Sequence, residues 1–121
     1  MRGMNKLNKM LLHIEGFTVL FISLYFYGYS QFSWVLFVIL LFTPDFSMIG
    51  YLFNNRVGAI LYNIFHTYSL SIAVIMLGLV LSNRPLLAIG LILSAHIGMD
   101  RMVGYGLKYS TDFKDTHLNR V

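Results

Sequence analysis

Glu15, Asp45, His66, His96 and Asp100 are ionisable residues set inside long apolar runs of this chain. In hydrocarbon each such group costs about 2.5–3.5 kcal/mol, so a chain that keeps them points to chemistry rather than packing. Imidazole nitrogens and carboxylate oxygens are the donors that hold Zn²⁺, Mn²⁺ or Fe²⁺. His96 and Asp100 are four residues apart, which stacks them on one face of a helix. Tyr62, Asn63, His66 and Ser69 form a polar stripe at three- and four-residue spacing. A divalent ion among such groups offsets the cost of burying carboxylates together, and it lowers the pKa of a coordinated water toward neutrality.

Each of these residues, taken singly, has another use. His66 alone reads as an interhelical hydrogen-bonder, His96 with Asp100 as a pair that locks its helix, and Asp100 as an ion-pair partner of Arg101 or Arg56. Their shared depth argues for one site, with Asp45, His66, His96 and Asp100 as metal ligands and Glu15 beside them. His13 lies about 200° around the helix from Glu15 and is expected to snorkel toward headgroups.

The elements that must carry these groups are membrane spans. The chain is 57% apolar and 12% charged, against roughly 25% charged in a soluble domain. A water-soluble fold of this size cannot hide so much apolar surface. Four apolar stretches, 10–27, 32–53, 57–81 and 86–103, each approach the roughly 20 residues that cross a bilayer. Short turn-type gaps separate them, which makes sequential helices antiparallel neighbours. Four segments cannot close a barrel, so the spans are helical. The expectation is an all-α integral membrane bundle of four transmembrane helices in a single domain, 1–121, that includes a cytoplasmic tail over 104–121.

Details within the spans carry further expectations. Arg2, Lys6 and Lys9 before an apolar run resemble a signal peptide, but Glu15 interrupts the run and no small-residue cleavage site follows, so the run reads as a helix. Pro44 predicts a kink that presents Asp45 from an opened backbone. Gly90, Ser94 and Gly98 form a small-residue ridge for close helix contact. Tyr25, Tyr27, Tyr29 and Trp34 read as an outer aromatic belt, and Tyr105 with Tyr109 as an inner one. Gly104-Tyr105-Gly106 ends the fourth helix. The tail, with His117 after Asp112 and Asp115, reads as solvated, the alternative being that His117 folds back over the site.

Basic residues set the orientation. With four spans, Arg2, Lys6, Lys9, Arg56, Arg101, Lys108, Lys114 and Arg120 share one side and Arg84 faces the other. The positive-inside rule then places both termini in the cytoplasm, N-in/C-in, in the inner or plasma membrane. Topology and anionic headgroups account for the net charge of +4, so membrane lipids are the expected partners and nucleic acid is not. The five ionisable groups all fall in the cytoplasmic half, within about nine residues of that side. There is no cysteine, which excludes disulfides, thiolate metal sites and cysteine nucleophiles.

Thr43-Pro44-Asp45-Phe46-Ser47, Tyr62-Asn63-Ile64-Phe65-His66-Thr67 and His96-Ile97-Gly98-Met99-Asp100-Arg101, running into Gly104-Tyr105-Gly106-Leu107-Lys108-Tyr109, resemble a family of small bacterial membrane proteins of unknown function. More distantly, the order Pro-Asp, His-Thr, His-x-x-x-Asp is similar to the membrane-bound metal-dependent hydrolases. That similarity implies Asp45, His66, His96 and Asp100 as ligands. Ser47 stands where the wider family has a second acid, and Glu15 or His13 where it has an early histidine. The expected function is a metal-dependent hydrolase acting on a lipid-like or phosphate-ester substrate at the inner leaflet. Glu15 would assist as ligand or base, Asp100 would serve both metal and catalysis, and Arg101 or Lys108 would steady an anionic headgroup. Two other classes remain open: a proton- or ion-coupled transporter, and a non-catalytic assembly subunit. A relay spreads polar groups through both leaflets, whereas the outer half here is nearly devoid of them. A homo-oligomer of the chain would supply the missing half.

Overall fold

A computed structural model describes residues 2–108, Lys114 and residues 116–120; Tyr109, Asp112 and Asp115 lie outside them. Among the described residues the structure is all-helical, and four helical segments are long and apolar enough to cross a membrane: Lys6–Tyr29, Trp34–Leu52, Asn55–Val80 and Arg84–Val103. Large apolar side chains point outward along them, Val35, Phe46, Leu52 and Val80 all being more than two-thirds exposed. In water such a surface would aggregate; against lipid it is satisfied. These are the features of a membrane protein.

The first span, α1 (Arg2–Tyr29), begins well before the expected boundary, because the polar run ahead of Met10 contains no proline and continues the helix. The fourth, α5 (Arg84–Val103), is bounded as its sequence dictates. Asn83 caps its start, with Oδ1 accepting the Leu86 amide at 3.0 Å, and Pro85 occupies the first turn. Gly104, at φ 107°, ends it in the left-handed conformation that glycine adopts without penalty.

The two middle spans are discontinuous. The second is a short helix, α2 (Trp34–Leu40), followed by a 3-10 helix over Thr43–Leu52. Pro44 has no N–H to return to the Leu40 carbonyl, and the Thr43 hydroxyl donates to that carbonyl instead, at 2.7 Å. The expected kink is therefore a full break. The third span divides into α3 (Asn55–Phe65) and α4 (Tyr68–Val80), with Thr67 extended between them. Here the cause is His66 itself. Its ring Nδ1 donates to the Tyr62 carbonyl at 2.8 Å, the acceptor its own amide would use in a continuous helix, and the amide turns to Asn63. The sequence predicts one uninterrupted helix over 57–81, since a histidine that outcompetes its own backbone leaves no periodicity signal.

α5 is the central element, packed between α1 and α4. The small-residue ridge is divided between these neighbours. A Cβ at Gly98 would lie 2.7 Å from the Gly16 carbonyl oxygen of α1, and one at Gly90 would lie 2.8 Å from the Ile75 amide of α4. The 3-10 helix and α3 pack on each other as a hairpin of half-spans. At the end away from the ionisable groups, Tyr27 is fully buried among Phe37, Ala88 and Leu91 and donates its hydroxyl proton to the Ser33 carbonyl. Tyr27 is thus a core residue rather than a member of an interfacial belt, while Tyr25 and Tyr29 are exposed. A short helix, α6 (His117–Arg120), closes the described chain.

Candidate metal centre

Asp45 stands in the first turn of the 3-10 helix, His66 at the break between α3 and α4, and His96 and Asp100 on consecutive turns of α5. Two chain breaks and one rigid helix therefore bring them together. His66 Nε2 lies 3.1 Å from Asp45 Oδ1, 3.1 Å from His96 Nε2 and 3.5 Å from Asp100 Oδ2. His96 Nε2 lies 3.2 Å from both Asp45 Oδ1 and Asp100 Oδ2. All four residues offer ligand atoms within 4.8 Å of one another. Both imidazoles are fully buried, and the Asp45 side chain retains 34% exposure.

This group could hold a metal ion, and the hydrogen bonding fits one. Because His66 Nδ1 donates to a carbonyl, the lone pair of the neutral ring sits on Nε2, aimed at two carboxylate oxygens and a second imidazole nitrogen. A proton on His96 Nε2 satisfies one of these contacts and leaves lone pairs facing one another at the rest. Tetrahedral bonds of about 2.0–2.2 Å to one ion give donor separations of about 3.3–3.6 Å, close to the 3.1–3.5 Å observed. The Nδ1–carbonyl bond is also the orienting contact that ligating histidines require. Tyr62 stacks on the His66 ring at 3.7 Å and 6°, and Phe42 meets His96 edge-on. His96 Nδ1 is buried and has no hydrogen-bond partner among the described residues.

Arg101 is buried, and its fork is engaged: Nη2 donates to the His66 carbonyl at 2.8 Å and Nη1 to the Tyr105 carbonyl at 2.9 Å. The first of these carbonyls is the one stranded by the break at His66. Arg101 therefore braces the backbone of His66, and it lines a different cavity, of about 320 Å³, that also contains Glu15, Tyr68 and His117. Glu15 is not brought to the cluster. His13 donates from Nδ1 to the Met102 carbonyl at 2.7 Å, capping the end of α5 rather than snorkelling away. Ser69, placed beyond the break, leaves the stripe and joins the Arg101 cavity.

The open edge of the cluster is a cavity of about 280 Å³ lined by Asp45, Met48, Tyr62, Asp100, Tyr105 and Lys108. Lys108 is there because the segment after Gly104 folds back over the bundle. Asn63 grips its backbone twice, donating to the Lys108 carbonyl at 2.7 Å and accepting the Lys108 amide at 2.6 Å. The Leu107 amide donates to His117 Nδ1 at 2.7 Å, the His117 amide returns to the Leu107 carbonyl, and Lys108 pairs with Thr116. The described part of the tail is thus packed rather than solvated, with Leu118 fully buried. The Lys108 amine sits 4.5 Å from the centre of the Tyr62 ring, in the same cavity as both carboxylates. Asn63, visible in the sequence as a polar residue inside a span, was the one trace of this clamp.

A model of a domain of unknown function, DUF4260, matches residues 9–121. The chain belongs to the DUF4260 family. No curated protein and no solved structure matches it. The matched range contains every residue of the cluster, of the Lys108 cavity and of the Asn63 clamp.

Proposed function

We propose that this chain is an integral membrane metal-dependent hydrolase whose site opens toward the inner leaflet, with both termini cytoplasmic, and that its substrate is a lipid-like or phosphate ester. The observation that carries this reading is the four-residue donor cluster meeting a cavity that also contains a lysine. Asp45, His66, His96 and Asp100 would hold the ion, which supplies Lewis acidity and a water of lowered pKa when bound. Lys108 orients an anionic group of the substrate, as a point charge suits phosphate. Each aspartate has a second carboxylate oxygen, and that of Asp45, whose side chain is partly exposed, would serve as the base that takes a proton from the attacking water. Tyr62, Phe42 and the buried imidazoles exclude bulk solvent from the donor side. The resemblance of the motifs to membrane-bound metal-dependent hydrolases supports the same reading, as does the basic bias of the side that carries the cluster.

A second reading, a divalent-cation carrier, is favoured by one observation: two discontinuous spans meet at the cluster, as in transporters that bind ions at broken helices. One experiment separates the two. The detergent-purified chain and its His66→Ala, His96→Ala and Asp45→Ala variants are assayed for metal by elemental mass spectrometry and for cleavage of lipid phosphate esters. About one tightly held ion per chain, with cleavage that requires it and is lost in each variant, supports the hydrolase. Metal without cleavage, together with Mn²⁺ uptake into proteoliposomes, supports the carrier. No metal after loading with Zn²⁺ and Mn²⁺ sinks both.

A further inference from the structure

In the half of the bundle away from the cluster, α1 and α4 stand apart over α5, and the three helices enclose a cleft of about 510 Å³. Its walls are apolar stripes at helical spacing: Val19, Ile22 and Phe26 on α1, Ile75 and Leu79 on α4, and Leu91 on α5. Ser23 and Ser94, both nearly buried, form the floor. From Val19 to Ser30 the cleft runs the length of eleven helical steps, about 16 Å along the membrane normal. Its far end is polar. Tyr29 and Ser30 stand there, and Arg84 donates from Nη2 to the Ser30 carbonyl at 2.6 Å, with its guanidinium 4.6 Å from the Phe32 ring centre. A guanidinium has five N–H donors, so this contact leaves others for a ligand. Arg84 is also the one basic residue on its side of the bundle, against eight on the other, so positive-inside topology does not account for it.

We propose that the cleft binds one acyl chain of a bilayer amphiphile whose anionic headgroup is held by Arg84. Its volume falls in the range of small-molecule sites. A helix of equal length is about 10 Å across and would need roughly twice that volume or more, so a neighbouring helix is a poor fit. The apolar walls run along the direction an acyl chain takes in a bilayer, and the cation stands at the height of its headgroup. This site is distinct from the metal cluster and independent of the hydrolase reading.

The test uses the full chain in nanodiscs of neutral phosphatidylcholine, with a fatty acid carrying a mid-chain photoreactive diazirine and the matching fatty alcohol. The expected result is labelling by the acid concentrated on Ile22, Ser23, Leu79 and Leu91. Arg84→Gln, an exposed position, should reduce labelling by the acid at least fivefold and leave labelling by the alcohol unchanged. Leu79→Trp, on the exposed rim, should reduce both by obstructing the cleft. Equal labelling of the lipid-facing residues Val35, Val38 and Phe46 would show ordinary annular contact and overturn the proposal. Equal labelling by acid and alcohol in the wild type would overturn the role of Arg84. Disulfide dimers formed by Leu79→Cys in place of lipid labelling would assign the cleft to a second copy and overturn the lipid site.

Discussion

Arg101 and Lys108 are both basic residues at one end of the bundle, yet the structure gives them different work. Arg101 spends its planar fork on two carbonyls, one of them freed by the break at His66. Lysine keeps the charge but cannot span both oxygens. Arg101→Lys is therefore expected to weaken metal binding about 10–100-fold, as loss of orienting contacts around metal ligands does; competition titration with a chromogenic chelator measures it. Lys108 instead brings an amine into the cavity beside Asp45 and Asp100. Lys108→Gln is expected to leave metal content unchanged and to raise KM for an anionic ester about tenfold, in keeping with one lost charged hydrogen bond. A fall in metal content would show instead that Lys108 supports the cluster itself. At this scale the sequence disclosed the four cluster residues, because an ionisable group within an apolar run is conspicuous. It could not separate an arginine that braces the His66 carbonyl from a lysine that lines the cavity beside the carboxylates, since both lie at the same depth and differ only in what they touch.

At the scale of elements, the site depends on segments that depart from regular helix. Pro44 and the His66 ring each remove a backbone hydrogen bond, and the chain answers with local substitutes, the Thr43 hydroxyl in one case and Arg101 in the other. The returning segment is held similarly, by Asn63 and by His117. Burial, and after it the Arg101 guanidinium, hold the His117 imidazole below its ordinary value of 6.5. His117 Nδ1 accepts the Leu107 amide, so the latch needs the unprotonated ring. Its contribution is complete above about pH 6.5 and is lost as pH falls through the lower folded value. The protection factor of the Leu107 amide, its exchange rate corrected for the intrinsic pH dependence, should accordingly fall on acidification in the wild type. In His117→Asn, which keeps an acceptor without a titrating group, protection should be independent of pH over the same range. Pro44 was legible as a disruption, whereas the break at His66 was not. Proline breaks a helix through its own covalent structure, but His66 does so through a side-chain contact that exists only once the ring is buried.

Across the whole molecule, α5 is the post on which α1 and α4 are hung, and glycines set the distances. Valine at Gly98 would drive carbon into the Gly16 carbonyl and the Leu20 amide, both fixed backbone. Overpacking of this kind costs about 1–3 kcal/mol, and Gly98→Val should lower the unfolding temperature in detergent. Gly28→Ala, whose Cβ would meet only the tip of Trp34 at 3.2 Å, should be nearly neutral. The sequence by itself determined the number of segments long and apolar enough to cross a membrane and the identity of the clustered acids and histidines. Hydrophobicity and buried charge are properties of residue types and their order, so they can be read before folding. The tertiary structure decided that two spans are broken, that the ridge on α5 serves two neighbours, that Glu15 stands apart from the cluster, and that the described part of the tail packs over the site. Each of those outcomes depends on which polar atom reaches which partner first, a competition settled by three-dimensional proximity and invisible in linear order.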